Sequence, residues 1–103
     1  VTTVIRPEIT HSKRYYISKH RYYELKHFCL QYYEWHGSQA KYKDLIRETC
    51  NSADPTIAEY IFKAVTEGCS YTYLKTALGI PCGRSMFFDR YRKFFWLLSD
   101  ARL

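Results

Sequence analysis

Arg84, Ser85, Arg90, Arg92 and Lys93 follow directly on the turn-forming run Gly79-Ile80-Pro81-Cys82-Gly83. Arginine grips a phosphate, or the paired acceptors of a guanine edge, with two N–H donors at once. Lysine supplies a point charge to a nucleic-acid backbone. A serine at a helix start can bond a phosphate oxygen, as can the free amides of that first turn. The chemistry of this group is therefore recognition of a polyanion. Arg84 and Ser85 hold the tip of the segment, Arg90 follows toward the base edges, and Arg92 and Lys93 reach phosphates. Tyr73 and Lys75, with Tyr71 beside them, lie just before the turn, where a supporting helix makes backbone contacts.

Those residues need two helices and a fixed corner. Tyr71 to Leu78 reads as a short helix that Ser70 caps and Gly79 closes. Ile80 is the apolar plug of the corner, and Pro81 cannot lie deep in a helix. A second helix then runs from about Arg84 to Ser99. This order, over residues 70–99, is that of a helix-turn-helix. The second helix has an apolar stripe of Phe88, Tyr91, Phe95 and Leu98, widened by Phe87, Phe94 and Leu97, which reads as core. Arg90, Lys93 and Trp96 recur elsewhere at three-residue spacing. The plainer reading of that charged side is a solvated face; its place after a tight turn is what points to phosphate or base contact.

The rest of the chain reads as helices. Residues 1–17 form an extended N-terminal arm in which Thr2, Thr3, Val4 and Ile5 favour a short strand that Pro7 interrupts. Residues 18–103 form one helical domain. Ser18 caps a first helix from Lys19 to about Trp35, with Tyr22, Leu25, Cys29 and Tyr32 on one side and Phe28 beside them. His36-Gly37-Ser38 breaks it. A second helix from about Ala40 to Cys50 carries Tyr42, Leu45, Ile46 and Thr49 on one face. After the link Asn51-Ser52-Ala53, Asp54-Pro55 predicts a helix start with the acid as cap and proline in the first turn. Ile57, Tyr60, Ile61, Ala64 and Val65 follow at helical spacing, and Gly68 is the expected C-cap.

A chain of 103 residues supports one domain with a modest core. Its net charge is +6, unevenly spread. Residues 1–27 hold six basic and two acidic side chains, and residues 84–103 hold five and two, whereas residues 28–83 hold five and six. Basic ends around a near-neutral centre favour a polyanionic partner. No run approaches the length of a membrane span, and Val1 to His11 lacks the basic-then-apolar pattern of a secretion signal, so a cytoplasmic location is expected. Cys29, Cys50, Cys69 and Cys82 form no C-x-x-C pair and have no zinc-ligand spacing with His20, His27 or His36; buried free thiols are expected, with no metal and no cofactor. Catalysis is not expected either. Cys29 with His27, and Glu24 with His20, are explained as helix-surface neighbours, and no glycine-rich phosphate loop is present. Lys13, Arg14, Tyr15 and Tyr16, with Lys19, Arg21, Tyr22 and Tyr23, mix cations and aromatic rings. That mixture suits an arm on nucleic acid and a protein-binding surface equally.

Two blocks of sequence carry a resemblance. Tyr15-Tyr16-Ile17-Ser18-Lys19, with the run from Arg21 to Tyr32, resembles the opening of small proteins encoded by prophages of Firmicutes. The run from Ala64 to Leu74, with Ile80-Pro81-Cys82-Gly83 and Phe88 to Phe95, resembles their C-terminal part. The likeness covers residues 15–35 and 54–99; Tyr33 stands where such proteins carry proline, and the segment 36–53 is shorter. Some of these proteins are grouped loosely with phage transcriptional regulators that carry a helix-turn-helix like that of sigma-factor region four. The resemblance implies a phage regulator in the bacterial host cell. The combined expectation is an all-α fold, a small helical bundle of about five helices ending in a helix-turn-helix, that binds double-stranded DNA without catalysis and is compatible with a homo-oligomer. Two alternatives remain: a protein-binding module, inhibiting a host protein or docking on host RNA polymerase, and a packaging protein like a terminase small subunit.

Overall fold

Serine hydroxyls start two of the helices, as their capping chemistry dictates. Ser18 Oγ accepts the Arg21 amide at 3.2 Å and Ser70 Oγ accepts that of Tyr73 at 3.1 Å. The computed structural model describes residues 15–102. It contains α1 (Lys19–Leu30), α2 (Lys41–Ala53), α3 (Ala58–Glu67), α4 (Tyr71–Thr76) and α5 (Arg84–Ala101), with 3₁₀ turns at Tyr32–Glu34 and Gly37–Ala40. No strand occurs among the described residues. The fold is the all-α bundle that the sequence predicts. The proposed strand at Thr2 to Ile5, and Lys13 and Arg14 of the arm, lie outside the described residues.

α5 packs against α2, α1 and α3, and so runs through the middle of the bundle. Its Phe87, Phe94, Phe95 and Leu98 are buried with Tyr22, Leu25 and Cys29 of α1, Ile46 and Cys50 of α2, and Ile61 and Val65 of α3. Burial of each large apolar side chain contributes about 1.5–3 kcal/mol. The rings meet edge to face: Phe95 lies 5.1 Å from Tyr22 and 5.0 Å from Phe94. The apolar stripe of α5 is turned from its expected centre. Phe87 and Phe94 are fully inside, while Phe88, Tyr91 and Leu97 lie at its edge.

Three helix boundaries ahead of α4 differ from expectation, each for a local physical reason. α1 stops at Leu30 instead of reaching Trp35. The chain tightens there into a 3₁₀ turn, which sets Tyr32 edge-on to Phe62 at 4.9 Å and brings Trp35 back to within 4.7 Å of Phe28. α2 continues through Asn51 and Ser52 to Ala53, because Ala53 extends the buried face of Ile46 and Cys50. Asp54 does not cap α3. Its Oδ1 accepts the Thr56 amide at 2.9 Å in a local turn, and the helix begins three residues beyond Pro55.

Gly68 closes α3 as the sequence predicts, whereas α4 ends at Thr76 with Ala77 as its cap, short of the expected Leu78, and Gly79 turns the chain beyond it. Gly68 takes φ +74° after α3, and Gly79 takes φ +67° beyond α4. Across Gly79 the Ile80 amide returns to the Leu74 carbonyl at 3.0 Å, and both Leu74 and Ile80 are buried. The Tyr71 hydroxyl then donates to the Cys82 carbonyl at 2.8 Å, tying the start of α4 to the approach to α5. This corner fixes where α5 begins.

Candidate nucleic-acid interface

α5 opens at Gly83, whose lack of a side chain leaves the first amides uncapped, and its first turn holds no acidic residue. Arg84, Ser85 and Met86 are exposed there. The Arg84 guanidinium lies 4.9 Å from the Phe88 ring centroid and 5.9 Å from that of Tyr71. Stacking on rings restricts its orientation while leaving its N–H fork open to an acceptor. Tyr73 and Lys75 are exposed on α4, across the corner. Tyr71 therefore ties the start of α4 to the first turn of α5, and Arg84, Ser85, Tyr73 and Lys75 lie at the surface, Tyr73 and Lys75 on different faces of α4.

The other cations of α5 are placed differently. Arg90 turns back to α2's end: its Nε donates to Asp54 Oδ2 at 3.0 Å, and its Nη1 bonds Asp89. Asp54 is buried and Arg90 partly so. Burial works against the Arg90 charge, but the Asp54 hydrogen bond and the Asp89 charge outweigh it, so the Arg90 pKa rises. The Arg92 side chain is only 14% exposed and lies 3.6 Å from Asp89. Asp89 thus holds two of the arginines singled out for contact with nucleic acid. Lys93 is half-buried. The role of Asp54 was not visible in sequence because its partner lies thirty-six positions away; the Asp89 to Arg92 spacing of i, i+3 was.

The basic and aromatic residues near the start of α1 are mostly structural. Arg21 donates to Ser99 Oγ at 3.0 Å, to the Ser99 carbonyl at 2.9 Å and to the Arg102 carbonyl at 3.0 Å, closing the C-terminal end of α5. Tyr22 is fully buried, with its hydroxyl 3.0 Å from that of Tyr91. Tyr15 is buried 5.5 Å from the Trp96 ring. Tyr16 remains exposed.

Cys29, Cys50, Cys69 and Cys82 are free thiols. Burial raises the pKa of all four, that of Cys50 to about 12 and that of Cys29 well above its ordinary value. The nucleophilic thiolate is therefore suppressed at neutral pH. No group of three or more metal-ligating side chains converges among the described residues, and no helix there is long and apolar enough to cross a membrane.

Comparison of the chain with protein families, with curated proteins and with solved structures gives no match.

Proposed function

We propose that this protein binds double-stranded DNA through α4, the corner at Gly79 to Gly83, and the N-terminal turn of α5. In this reading it is a transcriptional regulator of phage origin, and the arrangement serves as a helix-turn-helix. The carrying observation is the start of α5, where uncapped amides, exposed Arg84 and exposed Ser85 stand together with no acid in the turn. α5 enters the major groove by this end. Arg84 reads a base edge, Ser85 and the amides hold a phosphate, and Lys75 and Tyr73 contact the flanking backbone. Lys93 adds a phosphate contact farther along. Arg90 and Arg92 stabilise the helix through Asp54 and Asp89 and serve the interface by keeping α5 in place.

Binding to a fluorescent phage-promoter duplex and to a scrambled duplex, across a salt series, tests the proposal. The expected result is sequence-selective binding whose logarithm falls linearly with the logarithm of salt concentration. Arg84→Ala should lose about 1–3 kcal/mol on the preferred duplex and relax its selectivity. Equal, weak binding to both duplexes at low salt, unchanged in that variant, would remove α5 from the interface.

A second reading rests on a different surface. Leu30 and Tyr33 are 39% and 60% exposed just where α1 gives way to its 3₁₀ turn. Exposed tyrosine and leucine at one turn suit contact with a host protein. Stoichiometric capture of a defined host protein, lost in Tyr33→Ala and accompanied by no duplex affinity, would favour it.

A further inference from the structure

The C-terminal half of α5 carries a stripe that the bundle does not cover. Lys93, Trp96 and Asp100 fall at i, i+3 and i+7 and so share one face of the helix. Trp96 is 41% exposed, although Tyr15 packs against it with ring centroids 5.5 Å apart. An indole left this open is a common anchor of protein contacts. Asp100 is exposed and Lys93 half-buried, and among the described residues neither forms an ion pair. The cation stands three residues before the indole and the anion four after it. That order is self-complementary when two such helices run antiparallel, because the two offsets differ by a single helical rise, about 1.5 Å.

We propose that this face docks a second copy of the chain, with the two α5 helices antiparallel, Trp96 against the partner's Trp96, and Lys93 beside the partner's Asp100. Burial of the indoles supplies the strength, and the exposed ion pairs fix the register. A face this narrow suits a weak dimer. An ammonium has three donors, so the pairing leaves Lys93 free to reach a duplex phosphate as well. Resting on the DNA-binding reading, the dimer has a consequence for the operator. Arg84 precedes Trp96 by twelve residues, about 18 Å along the helix. The two-fold doubles that to about 36 Å between the tips, against about 34–36 Å for one turn of B-DNA. Because the axis runs across the helix pair, both Arg84 side chains face the same side of the dimer.

Sedimentation equilibrium of the full chain, with no DNA present, tests the pairing. A monomer–dimer equilibrium in the micromolar range is expected, with tryptophan emission moving to the blue as the dimer forms. Trp35 is already buried, so the shift reports Trp96. Asp100→Lys sets like charges against each other and should weaken the dimer about tenfold or more. Adding Lys93→Asp restores the complementarity in reverse and should recover the dimer to within about threefold of its original affinity. Circular dichroism melting of both variants confirms that they are folded. A monomer at every concentration, or a dimer that Asp100→Lys leaves intact, would overturn the pairing. Selection from a pool of random duplexes then tests the spacing. The expected yield is inverted repeats with half-site centres about 10 bp apart, and single half-sites for Asp100→Lys. A dimer that selects single half-sites would overturn the spacing alone. A dimer that selects no duplex would overturn the DNA reading and retain the pairing.

Discussion

The two ends of α5 are built in opposite ways. At the C-terminal end, Arg21 spends its donors on Ser99 and on the Arg102 carbonyl, and Arg102 in turn lies 3.7 Å from the Phe28 ring centroid. At the N-terminal end, Gly83 provides no side-chain cap, and Arg84 rests on rings without an acid beside it. One arginine completes the fold; the other leaves its hydrogen-bonding fork available. Formal charge counts the two alike. The difference shows that a basic sequence overstates the charge a partner can meet, because Arg21, Arg90, Arg92 and Arg102 are occupied by contacts within the bundle.

The sharpest break of this contrast is at the core that both ends share. Phe95→Ala empties a fully buried position between Tyr22, Tyr91 and Phe94 and should cost about 3–5 kcal/mol, read as a lower urea midpoint at unchanged slope. Asp54→Ala removes both the Thr56 turn and the partner of Arg90. Arg90 is partly exposed, so the loss should fall below that of a fully buried pair, at about 2 kcal/mol. Arg21→Ala should cost about 1–2 kcal/mol and increase amide exchange selectively at the C-terminal end of α5. Should Arg84→Ala destabilise the protein as much as Arg21→Ala does, the division between structural and available arginines would fail. Lys93→Ala should have the smallest effect. It should leave stability unchanged, weaken all duplexes alike, and lower the steepness of the salt dependence by about one.

Local chemistry was legible in the sequence wherever a residue acts on its own neighbours. Ser18 and Ser70 cap helices, and Gly68 and Gly79 supply the left-handed turns, because those effects reach only a few positions along the chain. Asp54 shows where such reading runs out. Its position before proline suggested a helix cap, but Arg90 competes for the carboxylate from the far side of the bundle. The same long-range pairing separates Arg90 from Arg84, which sequence alone placed in one group. The end of α1 departs from its pattern for a related reason: Trp35 continues the helical spacing, yet its contact with Phe28 requires the chain to fold back.

The Arg102 contact also has a use in labelling. The guanidinium over Phe28, 5.4 Å from the Tyr42 ring centroid, anchors the chain at the far end of an eighteen-residue helix. At the rise of an α-helix, that end lies about 27 Å from Gly83. A fluorophore carried at exposed Ala101 would therefore sit well away from the turn that carries Arg84 and Ser85. Paired with a second dye on a bound duplex, it becomes a molecular ruler: a duplex gripped by the α5 tip and one held along the α1 side would give different energy-transfer distances.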